Sequence, residues 1–427
     1  MNIKNKYLKI LAIFSLVLFI LAIVINLNKE KIFKATFNSF FLLPDKVKSI
    51  VMIVSGKRSF SNLYNDYNVR FLPNTQFLNL DFYRIKTDIK ISNKTLWDKF
   101  NPGGSKRFTF YLESFEDKLL LISKSGNFYT TNSSNLLNKN KKNIYKKIST
   151  NINLKNILDS LIIDSRLYVS RFIDEPQCSY LEIYEAEISN NLKFELFKKF
   201  NECGKLGAGS GKMQRYFFEG KEGLLFSTAS LQQDAPDNVP QDDDSIYGKI
   251  LFVDIEEKDY KIFSKGHRNI SGLTVEDELI IATEHGPRGG DEINIINFNS
   301  NYGWPIASYG EGYFKKIEYK KSHSENGFVE PVYAFVPSIG ISEIIVTPEN
   351  FDTKWQNTLM VTSLNGRTIY LTKFQNKDYK NIVYVEKIYI GERIRDIKYI
   401  DEIKSFVLSL ERTADIGVIK KFNWEIW

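Results

Sequence analysis

Short runs of β-branched and aromatic residues recur along most of the chain, and this repetition restricts the possible folds more than any other feature. The runs cover residues 119–124, 127–131, 166–172, 248–255, 278–283, 292–298, 343–348, 358–364, 368–374, 382–390 and 405–411. Clusters of Gly, Asn, Asp and Pro separate them, and the runs show no long helical period. Regular short strands with turn residues between them predict an all-β sandwich, barrel or propeller.

The extent of the pattern favours a propeller. The strand-like runs and turn clusters fill residues 72–427 without a linker. A propeller reaches this size as a single domain because each small sheet buries its faces against the neighbouring sheets. We therefore assign residues 72–427 to one β-propeller domain, although no tight sequence repeat sets the number of blades.

The N-terminal segment predicts a membrane anchor. Three lysines precede an apolar run at residues 10–27, which is long enough to cross a bilayer as a helix. Polar residues close the run directly, which favours an uncleaved signal anchor at residues 1–28 over a cleaved signal peptide. Residues 29–71 then form a juxtamembrane linker, with an amphipathic helix expected around 46–55. The lysines place the N-terminus in the cytoplasm, so we expect a single-pass inner-membrane protein with its C-terminal domain in the periplasm.

The distribution of charge argues against a nucleic-acid partner. The formal net charge of +7 is scattered along the chain, and the densest basic run, residues 138–147, has Tyr145 as its only aromatic residue. This pattern is typical of a solvated loop, so we expect no nucleic-acid partner.

The two cysteines, Cys178 and Cys203, each lie beside a strand-like segment. A disulfide between them suits an oxidising compartment and is favoured over two buried thiols.

One stretch combines turn residues with polar chemistry. Residues 283–305, TEHGPRGGDEINIINFNSNYGWP, hold one histidine, one arginine, three carboxylates and six Gly or Pro residues. Four further segments lie before and after this stretch: QDDDSIYGKILFVD at 241–254, KGHRNISGL at 265–273, PVYAFVPSIG at 331–340 and GERIRDI at 391–397. Their combination indicates a site in which turns direct backbone groups toward a charged ligand.

In this order, the segments resemble the glucose/sorbosone dehydrogenases, soluble quinoproteins that oxidise sugars with pyrroloquinoline quinone. The likeness is to the aldose sugar dehydrogenase branch and is clear from about residue 211 to residue 396. It implies a six-bladed β-propeller with the quinone over the central channel and a calcium ion polarising the quinone carbonyls. It also implies a sugar or related alcohol as substrate and a respiratory electron acceptor as partner.

The resemblance assigns roles to individual residues. It implies that Arg268 and Asn269 contact the cofactor, that the carbonyls of Gly286 and Pro287 ligate calcium, that His285 and Asp291 lie alongside, and that Arg393 and Arg395 face the cofactor carboxylates. The chemistry agrees, because arginine remains charged and binds carboxylates with two donors. Calcium prefers oxygen ligands, and carbonyls at a Gly-Pro turn provide them without an intervening side chain.

Structural interpretations compete with these roles. Asp291 is also suited to capping a turn, and we expect the NYGWP segment to be structural, with Trp304 in a core. Taken alone, Arg393 and Arg395 are typical of an exposed strand face. Isolated histidines are usually core or loop residues. The acidic segment 234–244 is expected to be a solvated loop rather than a second cation site.

The family's base histidine is missing. The matching region, residues 207–230, carries none, and the expected position falls near Gly211 or Lys212. Lys212 is a candidate base only if desolvation lowers its pKa toward neutrality. His323 lies in no motif that would place it over the cofactor. The early glutamine segment of the family is not recognisable between residues 119 and 172, and Asn365 stands where soluble glucose dehydrogenases have a lysine.

Three functions remain open at this stage. The first is an anchored periplasmic dehydrogenase that oxidises an aldose or related alcohol with pyrroloquinoline quinone and calcium. The second is a catalytically degenerate propeller that binds carbohydrate or protein. The third is a lactonase-like propeller in which calcium activates water. The retained motifs favour the first function, and the missing histidine favours the second.

Overall fold

The computed structural model describes residues 75, 78–87, 107–138, 144–175, 178–204, 210–231, 238–312 and 317–422. These residues form 26 β-strands in six sheets. Short 3₁₀ helices join some of them, at Ser133–Leu137, Val239–Gln241, Ser324–Asn326, Thr353–Trp355 and Asp401–Ile403. The predicted all-β class is confirmed. The predicted anchor and linker, residues 1–28 and 29–71, lie outside the described residues.

The first three sheets follow one another in chain order as blades 1 to 3. Blade 1 contains β2 (Phe110–Phe115), β3 (Lys118–Ser123), β4 (Phe128–Asn132) and β5 (Lys146–Thr150), with β9 (Asn191–Leu192) added in parallel at its edge. Blade 2 contains β6 (Ile157–Ile163), β7 (Arg166–Asp174), β8 (Ser179–Glu187) and β10 (Glu195–Lys199). Blade 3 contains β11 (Ser210–Phe218), β12 (Lys221–Thr228), β13 (Lys249–Asp254) and β14 (Tyr260–Lys265), with β18 (Ser300–Asn301) at its edge.

The remaining sheets complete a six-bladed propeller, as the resemblance implied. Blade 4 contains β15 (Ile270–Glu276), β16 (Leu279–Glu284), β17 (Asp291–Ile296) and β19 (Tyr333–Phe335). Blade 5 contains β20 (Ile341–Val346), β21 (Thr358–Ser363), β22 (Thr368–Phe374) and β23 (Ile382–Tyr389). Blade 6 contains β24 (Ile394–Ile400), β25 (Ser405–Leu410), β26 (Ile416–Lys421) and β1 (Leu80–Ile85). The pairing of β1 with β26 joins the two ends of the described chain and closes the ring.

Six hydrophobic cores lie between neighbouring blades, one at each junction. Strand β3 shows how one strand supplies two cores: Leu119 and Leu121 pack against blade 6, whereas Leu120 and Ile122 pack against blade 2. Successive side chains of a strand point to opposite faces. Because both faces are buried here, such a strand is a continuous apolar run, and this is why runs of this kind were recognisable in the sequence.

The first strands of the blades surround the axis of the ring, and each contacts the first strand of the next blade: β2, β6, β11, β15, β20 and β24. Two neighbouring pairs are joined where they begin: Ser210 Oγ of β11 donates to the Ile270 carbonyl of β15 at 2.9 Å, and Ser342 Oγ, on the second residue of β20, donates to the Ile394 carbonyl of β24 at 2.7 Å. All six therefore begin at the same end, which we call the mouth. Each second strand is antiparallel to the first and ends there.

Most predicted strands are confirmed, but the first strands were largely missed. Of these six, the sequence pattern anticipated only β20, predicted at 343–348 and observed at Ile341–Val346. The others carry polar residues, as in β11, SGKMQRYFF, and β24, IRDIKYI, and so lack the expected apolar run.

Among the described helices, each is too short or too polar to span a bilayer.

The predicted disulfide between Cys178 and Cys203 is confirmed, with an S–S distance of 2.13 Å. Cys178 immediately precedes β8, and Cys203 follows β10, its antiparallel partner. Backbone hydrogen bonds between Ser179 and Gly204 continue the ladder past the disulfide. The bond thus fixes the outer edge of blade 2, at the periphery of the ring rather than at its axis.

Candidate active site

Two motifs that are separated in sequence form one unit at the mouth. Arg268 and Asn269 immediately precede β15, and His285 immediately follows β16. The His285 backbone N–H donates to the Asn269 carbonyl at 2.8 Å. In return, Arg268 Nη1 donates to the His285 carbonyl at 2.5 Å. The structure therefore brings together three of the residues that the sequence singled out.

Arg268 is held in place by its surroundings. It is buried, and its guanidinium lies over the Trp304 ring at 5.4 Å from the centroid. Its backbone N–H also donates to a carboxylate oxygen of Glu284. Trp304 is itself buried, which confirms the structural interpretation of that residue. The Asn269 side chain, by contrast, makes no hydrogen bond to any residue that the structure describes, and it is only partly buried.

His285 and Asp291 form a histidine–carboxylate dyad. His285 Nδ1 lies 2.8 Å from Asp291 Oδ1, and the His285 side chain is 28% exposed whereas Asp291 is fully buried. Within the described residues, Nε2 of His285 has no hydrogen-bond partner. The dyad thus presents one free ring nitrogen at the mouth, with the ring orientation fixed from behind by Asp291.

Asp291 itself does not meet the expectation that it lies against a cofactor. Besides His285, it accepts hydrogen bonds from Gly286 N (3.0 Å), Ser338 Oγ (2.9 Å), Ile339 N (3.0 Å) and Ile341 N (2.9 Å). Burial opposes its ionisation, but the His285 hydrogen bond and the other donors outweigh burial and hold the pKa of Asp291 below its usual value. Since both oxygens are engaged and shielded, Asp291 orients its neighbours and is not available to a ligand.

The Gly286–Pro287 turn requires glycine. A Cβ at Gly286 would lie 2.0 Å from the Gly290 carbonyl oxygen, so no larger residue fits without moving the backbone. Ser338 Oγ donates to the Pro287 carbonyl at 3.2 Å. No backbone N–H of the described residues donates to the Gly286 carbonyl. Over the same ranges, the side chains of His, Cys, Asp and Glu form no cluster suited to a metal, so a cation here depends on carbonyl ligands.

Arg393 and Arg395 converge on Glu411, which the sequence analysis missed. Arg393 immediately precedes β24, Arg395 is its second residue, and Glu411 immediately follows β25. Arg393 Nε lies 2.7 Å from Glu411 Oε2, and Arg395 Nη2 lies 2.6 Å from Oε1. Burial opposes ionisation of Glu411, but the charges of Arg395, Arg393 and Arg107 hold its pKa far below the usual range. The arginines are thus not an ordinary exposed strand face.

Lys124 adds a further positive charge that the sequence analysis also missed. It immediately follows β3, and its backbone N–H donates to the Thr109 carbonyl at 2.9 Å. Thr109 Oγ1 in turn donates to Glu411 Oε1 at 2.8 Å. Burial, together with the charge of Arg395, lowers the pKa of Lys124 to about 8. His285, Glu411 and Lys124 all occupy the residue after a second strand, and aligning the blades in this way would have revealed the last two.

Lys212 is tightly paired, contrary to the requirement for a base. Its ammonium lies 2.7 Å from Asp159 Oδ1 and also contacts Glu343 Oε2. Burial would lower its pKa, but Asp159, Glu343 and Asp396 outweigh burial and raise the pKa of Lys212 well above its usual value. The proposal of a lysine base needed a lowered pKa and is therefore wrong for this residue. Lys212 instead joins blades 2, 3 and 5 across the axis.

Lys212 belongs to a layer of charged residues that we call the hub network: Glu113, Asp159, Lys212, Glu343, Asp396 and Lys398. Asp159, Lys212, Glu343 and Asp396 are each the third residue of a first strand. Blade 4 has Gly272 at this position, where a Cβ would lie 2.8 Å from Glu343 Oε1. Lys398 Nζ lies 3.2 Å from Glu113 Oε2. The network fills the axis just inside the mouth, so a ligand is expected at the mouth rather than within the ring.

The other two histidines are structural. His267 is fully buried, with Nδ1 3.0 Å from Glu284 Oε2 and Nε2 2.8 Å from Ser264 Oγ. His323 is also buried, and its Nδ1 lies 3.1 Å from the Tyr302 carbonyl. Burial lowers the pKa of His323 despite nearby carboxylates. His285 is therefore the histidine with a ring nitrogen accessible at the mouth.

Comparison with known proteins identifies a family match over the part of the chain that carries these motifs. Residues 212–416 match the sequence model of the glucose/sorbosone dehydrogenase family. The aldose sugar dehydrogenase YliI of Escherichia coli K12 is 27% identical over 242 residues, which are 52% of this chain and 64% of that protein. An uncharacterized protein of Synechocystis is 32% identical over 158 residues, 36% of this chain and 38% of that protein. The chain thus spans less than two thirds of the length of these curated relatives.

Solved structures share the fold across more of the chain. A crystal structure of a glucose dehydrogenase has a TM-score of 0.62 at 21% identity, and the alignment covers 74% of this chain and 96% of that one. The PQQ-bound aldose sugar dehydrogenase of Streptomyces coelicolor has a TM-score of 0.54 at 15% identity, with 82% and 100% covered. At these identities the likeness establishes the propeller alone. Together with the family match over the motif-bearing residues, it leads to one conclusion: the resemblance to the glucose/sorbosone dehydrogenase family is confirmed over residues 212–416, within a six-bladed propeller.

Proposed function

We propose that this protein is a dehydrogenase that uses pyrroloquinoline quinone and calcium to oxidise an aldose or a related alcohol. The observation that carries the proposal is the His285–Asp291 dyad, because it offers a base in a chain that lacks the family's expected histidine. It lies on the same end of the ring as the arginines of blade 6. A dehydrogenase needs both a proton acceptor and a cofactor site, and the mouth has candidates for both.

The residues at the mouth fit a polycarboxylate cofactor. Arg393, Arg395 and Lys124 carry three positive charges, and Glu411 is the carboxylate that the two arginines share. This excess of positive charge suits the three carboxylates of the quinone, which Arg393 and Arg395 would bind. When bound, the cofactor and its calcium ion supply the acceptor for the substrate hydride. The free side-chain amide of Asn269 would donate to the same ligand.

A cation fits beside this site through backbone oxygens. The Gly286 and Pro287 carbonyls would ligate calcium, in keeping with its preference for oxygen ligands in a flexible arrangement. The Gly286 turn is fixed by Asp291, which accepts its N–H. Asp291 therefore supports both the cation turn and the proposed base without touching either ligand.

His285 would act as the general base. Removal of hydride from a sugar carbon requires that the attached hydroxyl lose its proton, and a positioned imidazole accepts such a proton efficiently. The Asp291 carboxylate fixes the ring and stabilises the positive charge that His285 acquires. Arg268, held against the His285 carbonyl, keeps the backbone of the dyad in place. The chemistry thus relies on a turn of blade 4, not on the blade 3 position at which the family carries its histidine.

A second function has one observation in its favour. The family's base position falls near Lys212, whose ammonium is engaged by two carboxylates and cannot accept a proton. If His285 does not replace the missing histidine, the propeller is a carbohydrate- or protein-binding module that has lost its chemistry. The two functions differ in turnover, not in fold.

We also propose the location predicted from the sequence: anchorage in the inner membrane through residues 10–27, with the propeller in the periplasm. The disulfide between Cys178 and Cys203 supports this, because disulfides persist in oxidising compartments. Membrane attachment would bring the propeller close to a respiratory electron acceptor.

The proposed function is tested by cofactor titration followed by turnover. We expect the purified chain to bind pyrroloquinoline quinone with calcium, measured by the absorption of the bound cofactor, and then to oxidise aldoses with an artificial electron acceptor. His285→Gln should retain cofactor binding and lose turnover about 100-fold or more, the usual contribution of a general base. Arg288→Gln is the matched control, because Arg288 lies in the same turn and its ion pair with Glu311 is exposed. Cofactor binding without turnover in the wild-type chain would favour the binding module.

A further inference from the structure

The environment of Lys124, which is partly buried, departs from that of the other partly or fully buried cations discussed above. Lys212 and Lys398 each pair with a carboxylate, and Arg393 and Arg395 share Glu411. The ammonium of Lys124 has no hydrogen bond or ion pair with any residue in the described ranges. The contact made by its charge is a distant one, 5.9 Å from the centroid of the Phe172 ring. Even partial burial of an ammonium is unfavourable when no carboxylate pairs with it, so its retention needs an explanation.

The backbone of Lys124 is nevertheless fixed at the junction of blades 1 and 2. Its N–H donates to the Thr109 carbonyl at 2.9 Å, and its carbonyl accepts from the Ile157 N–H at 3.1 Å. Thr109 is also bound to Glu411 through its hydroxyl. Lys124 therefore stands next to the Arg393–Arg395–Glu411 group through a continuous set of contacts, and its position at the mouth is set by the fold.

We propose that Lys124 is a further binding residue of the mouth, where it pairs with a carboxylate of the bound ligand beside Arg395. This inference rests on the proposed function, since it takes the ligand to be a polycarboxylate such as pyrroloquinoline quinone. Glu411 is near enough to raise the pKa of Lys124, but no carboxylate of the described residues forms an ion pair with its ammonium, and the ligand would supply one. The ligand-binding surface then spans blade 6 and blade 1, with Glu411 buried beneath it.

The charged groups around Lys124 predict proton uptake on binding. Burial lowers its pKa most, Arg395 of β24 and Arg107 before β2 lower it further, and Glu411 after β25 partly opposes them, which gives a pKa of about 8. Phe172 of β7 carries no charge. A ligand carboxylate beside the ammonium favours the charged form and raises the pKa. Near pH 8, the fraction of Lys124 that is neutral in the free protein must therefore take up a proton when the ligand binds.

The experiment measures binding by calorimetry at pH 8 in two buffers of different ionisation enthalpy, with pyrroloquinoline quinone plus calcium and, separately, with citrate. The wild-type chain should take up a fraction of a proton per ligand bound. Lys124→Met should weaken binding about 5- to 20-fold, because a charge-assisted hydrogen bond is lost. Lys124→Arg should bind within about threefold of wild type and take up no proton at this site. Lys146→Met, on the exposed outer strand of the same blade, is the control and should change neither quantity.

Stability of the free protein distinguishes this role from a structural one. A structural lysine lowers the melting temperature when it is replaced, whereas an ammonium retained for a ligand does not, because its removal relieves an uncompensated charge. We expect free Lys124→Met to melt at or slightly above the wild-type temperature.

Each outcome decides between the two proposals. Equal binding by wild type and Lys124→Met, a large drop in the melting temperature of free Lys124→Met, or undiminished proton uptake by Lys124→Arg would overturn the role of Lys124 and leave the proposed function intact. Citrate binding that depends on Lys124, without any binding of the quinone, would overturn the proposed function alone. A wild-type chain that binds neither ligand would overturn both.

Discussion

The hub network and the mouth are built on the same first strands but balance charge in opposite ways. In the hub network, four carboxylates face two lysines, and each lysine is paired. At the mouth, Arg393, Arg395 and Lys124 face the single carboxylate of Glu411. The change occurs within one residue of β24, where Arg395 belongs to the mouth and Asp396 to the hub. The comparison indicates that the hub pairs both of its lysines and holds an excess of carboxylates, whereas the mouth holds an excess of positive charge that would suit an anionic ligand.

The largest expected effect comes from breaking the hub. Lys212→Met leaves Asp159 and Glu343 buried without their shared cation, and removal of one partner from a buried ion pair typically costs about 3–5 kcal/mol. The free energy of unfolding, measured by urea denaturation, should fall by this amount. Lys398→Met is the control, with an intermediate loss expected, because Glu113 is its one ion-pair partner among the described residues and its side chain is 27% exposed. A loss for Lys212→Met no greater than that for an exposed lysine such as Lys221 would contradict a structural hub.

The pH dependence of stability should also report on the hub. Burial, only partly opposed by Lys398, raises the pKa of Glu113 from 4.5 to about 7, with Asp396 and Asp159 adding to the rise. The folded protein therefore holds this proton more tightly than the unfolded chain does. The resulting stabilisation is complete below about pH 4.5 and is lost as the pH rises through 7, by at most about 3 kcal/mol.

Glu113→Gln removes this titration and should flatten the fall in unfolding free energy between about pH 5 and pH 7.5. Denaturant titrations at several pH values would measure it. Glu411 provides an internal contrast, since its pKa is lowered and its contribution is lost on acidification instead. Identical pH profiles for wild type and Glu113→Gln would exclude the proton assigned to Glu113.

At the mouth, the stability lost when the Glu411 carboxylate is removed should be restored by an anionic ligand. Glu411→Gln leaves Arg393 and Arg395 without their shared anion and should lower the unfolding free energy by about 2 kcal/mol. Saturating citrate or pyrroloquinoline quinone should then raise the melting temperature more than it does in wild type, because the ligand supplies the missing negative charge.

A matched variant tests whether that compensation is specific. Glu185 also binds two cations, Arg166 at 2.8 Å and Lys258 at 3.1 Å, but it lies on β8 away from the mouth. Glu185→Gln should therefore show the wild-type response to either ligand. An equal extra response in both variants would mean that the compensation reflects general anion binding rather than a site.

The smallest expected effect comes from a substitution that adds a positive charge at the edge of the mouth. Asn365 is exposed in the turn after β21, where its N–H donates to the Ile339 carbonyl at 3.1 Å. Asn365→Lys should tighten binding of pyrroloquinoline quinone about two- to fivefold, in line with the modest strength of exposed ion pairs. Asn376→Lys adds the same charge after β22, at the opposite end of the ring, and should have no effect. Equal effects of the two variants would mean that net charge, not position, governs binding.

Sequence patterns identified the second and third strands of most blades but few of the first strands. The former are apolar on both faces, as in Leu119–Ile122, because they lie between two hydrophobic cores. The first strands replace some of these residues by Asp159, Lys212 or Asp396, which face other charged residues across the axis. Periodicity rules assume that a buried strand is apolar, and they fail where buried polar residues are partners of one another.

Only part of the candidate site could be predicted from the sequence, because only part of it lies in local motifs. Turns rich in Gly and Pro next to charged residues are local features, so motifs singled out a set of residues that the structure places at one end of the ring: Arg268, Asn269, His285, Gly286, Pro287, Arg393 and Arg395. Lys124 and Glu411 lie in no such motif. The role of Asp291 was also misjudged, because its burial and five hydrogen bonds depend on the separate 338–341 segment.

The amino-acid sequence by itself determined the all-β class and the residues that carry charge into the turns, because both depend on neighbours close along the chain, and it favoured the disulfide that the structure then confirmed. Only the tertiary structure decided which charges neutralise one another. Closure of the ring by β1 brings together residues as distant in sequence as Thr109 and Glu411, and burial makes their pairing strong. In the same way, the ring places Lys212 against Asp159 and Glu343 in the hub, whereas the Lys124 ammonium at the mouth has no ion pair with any described residue.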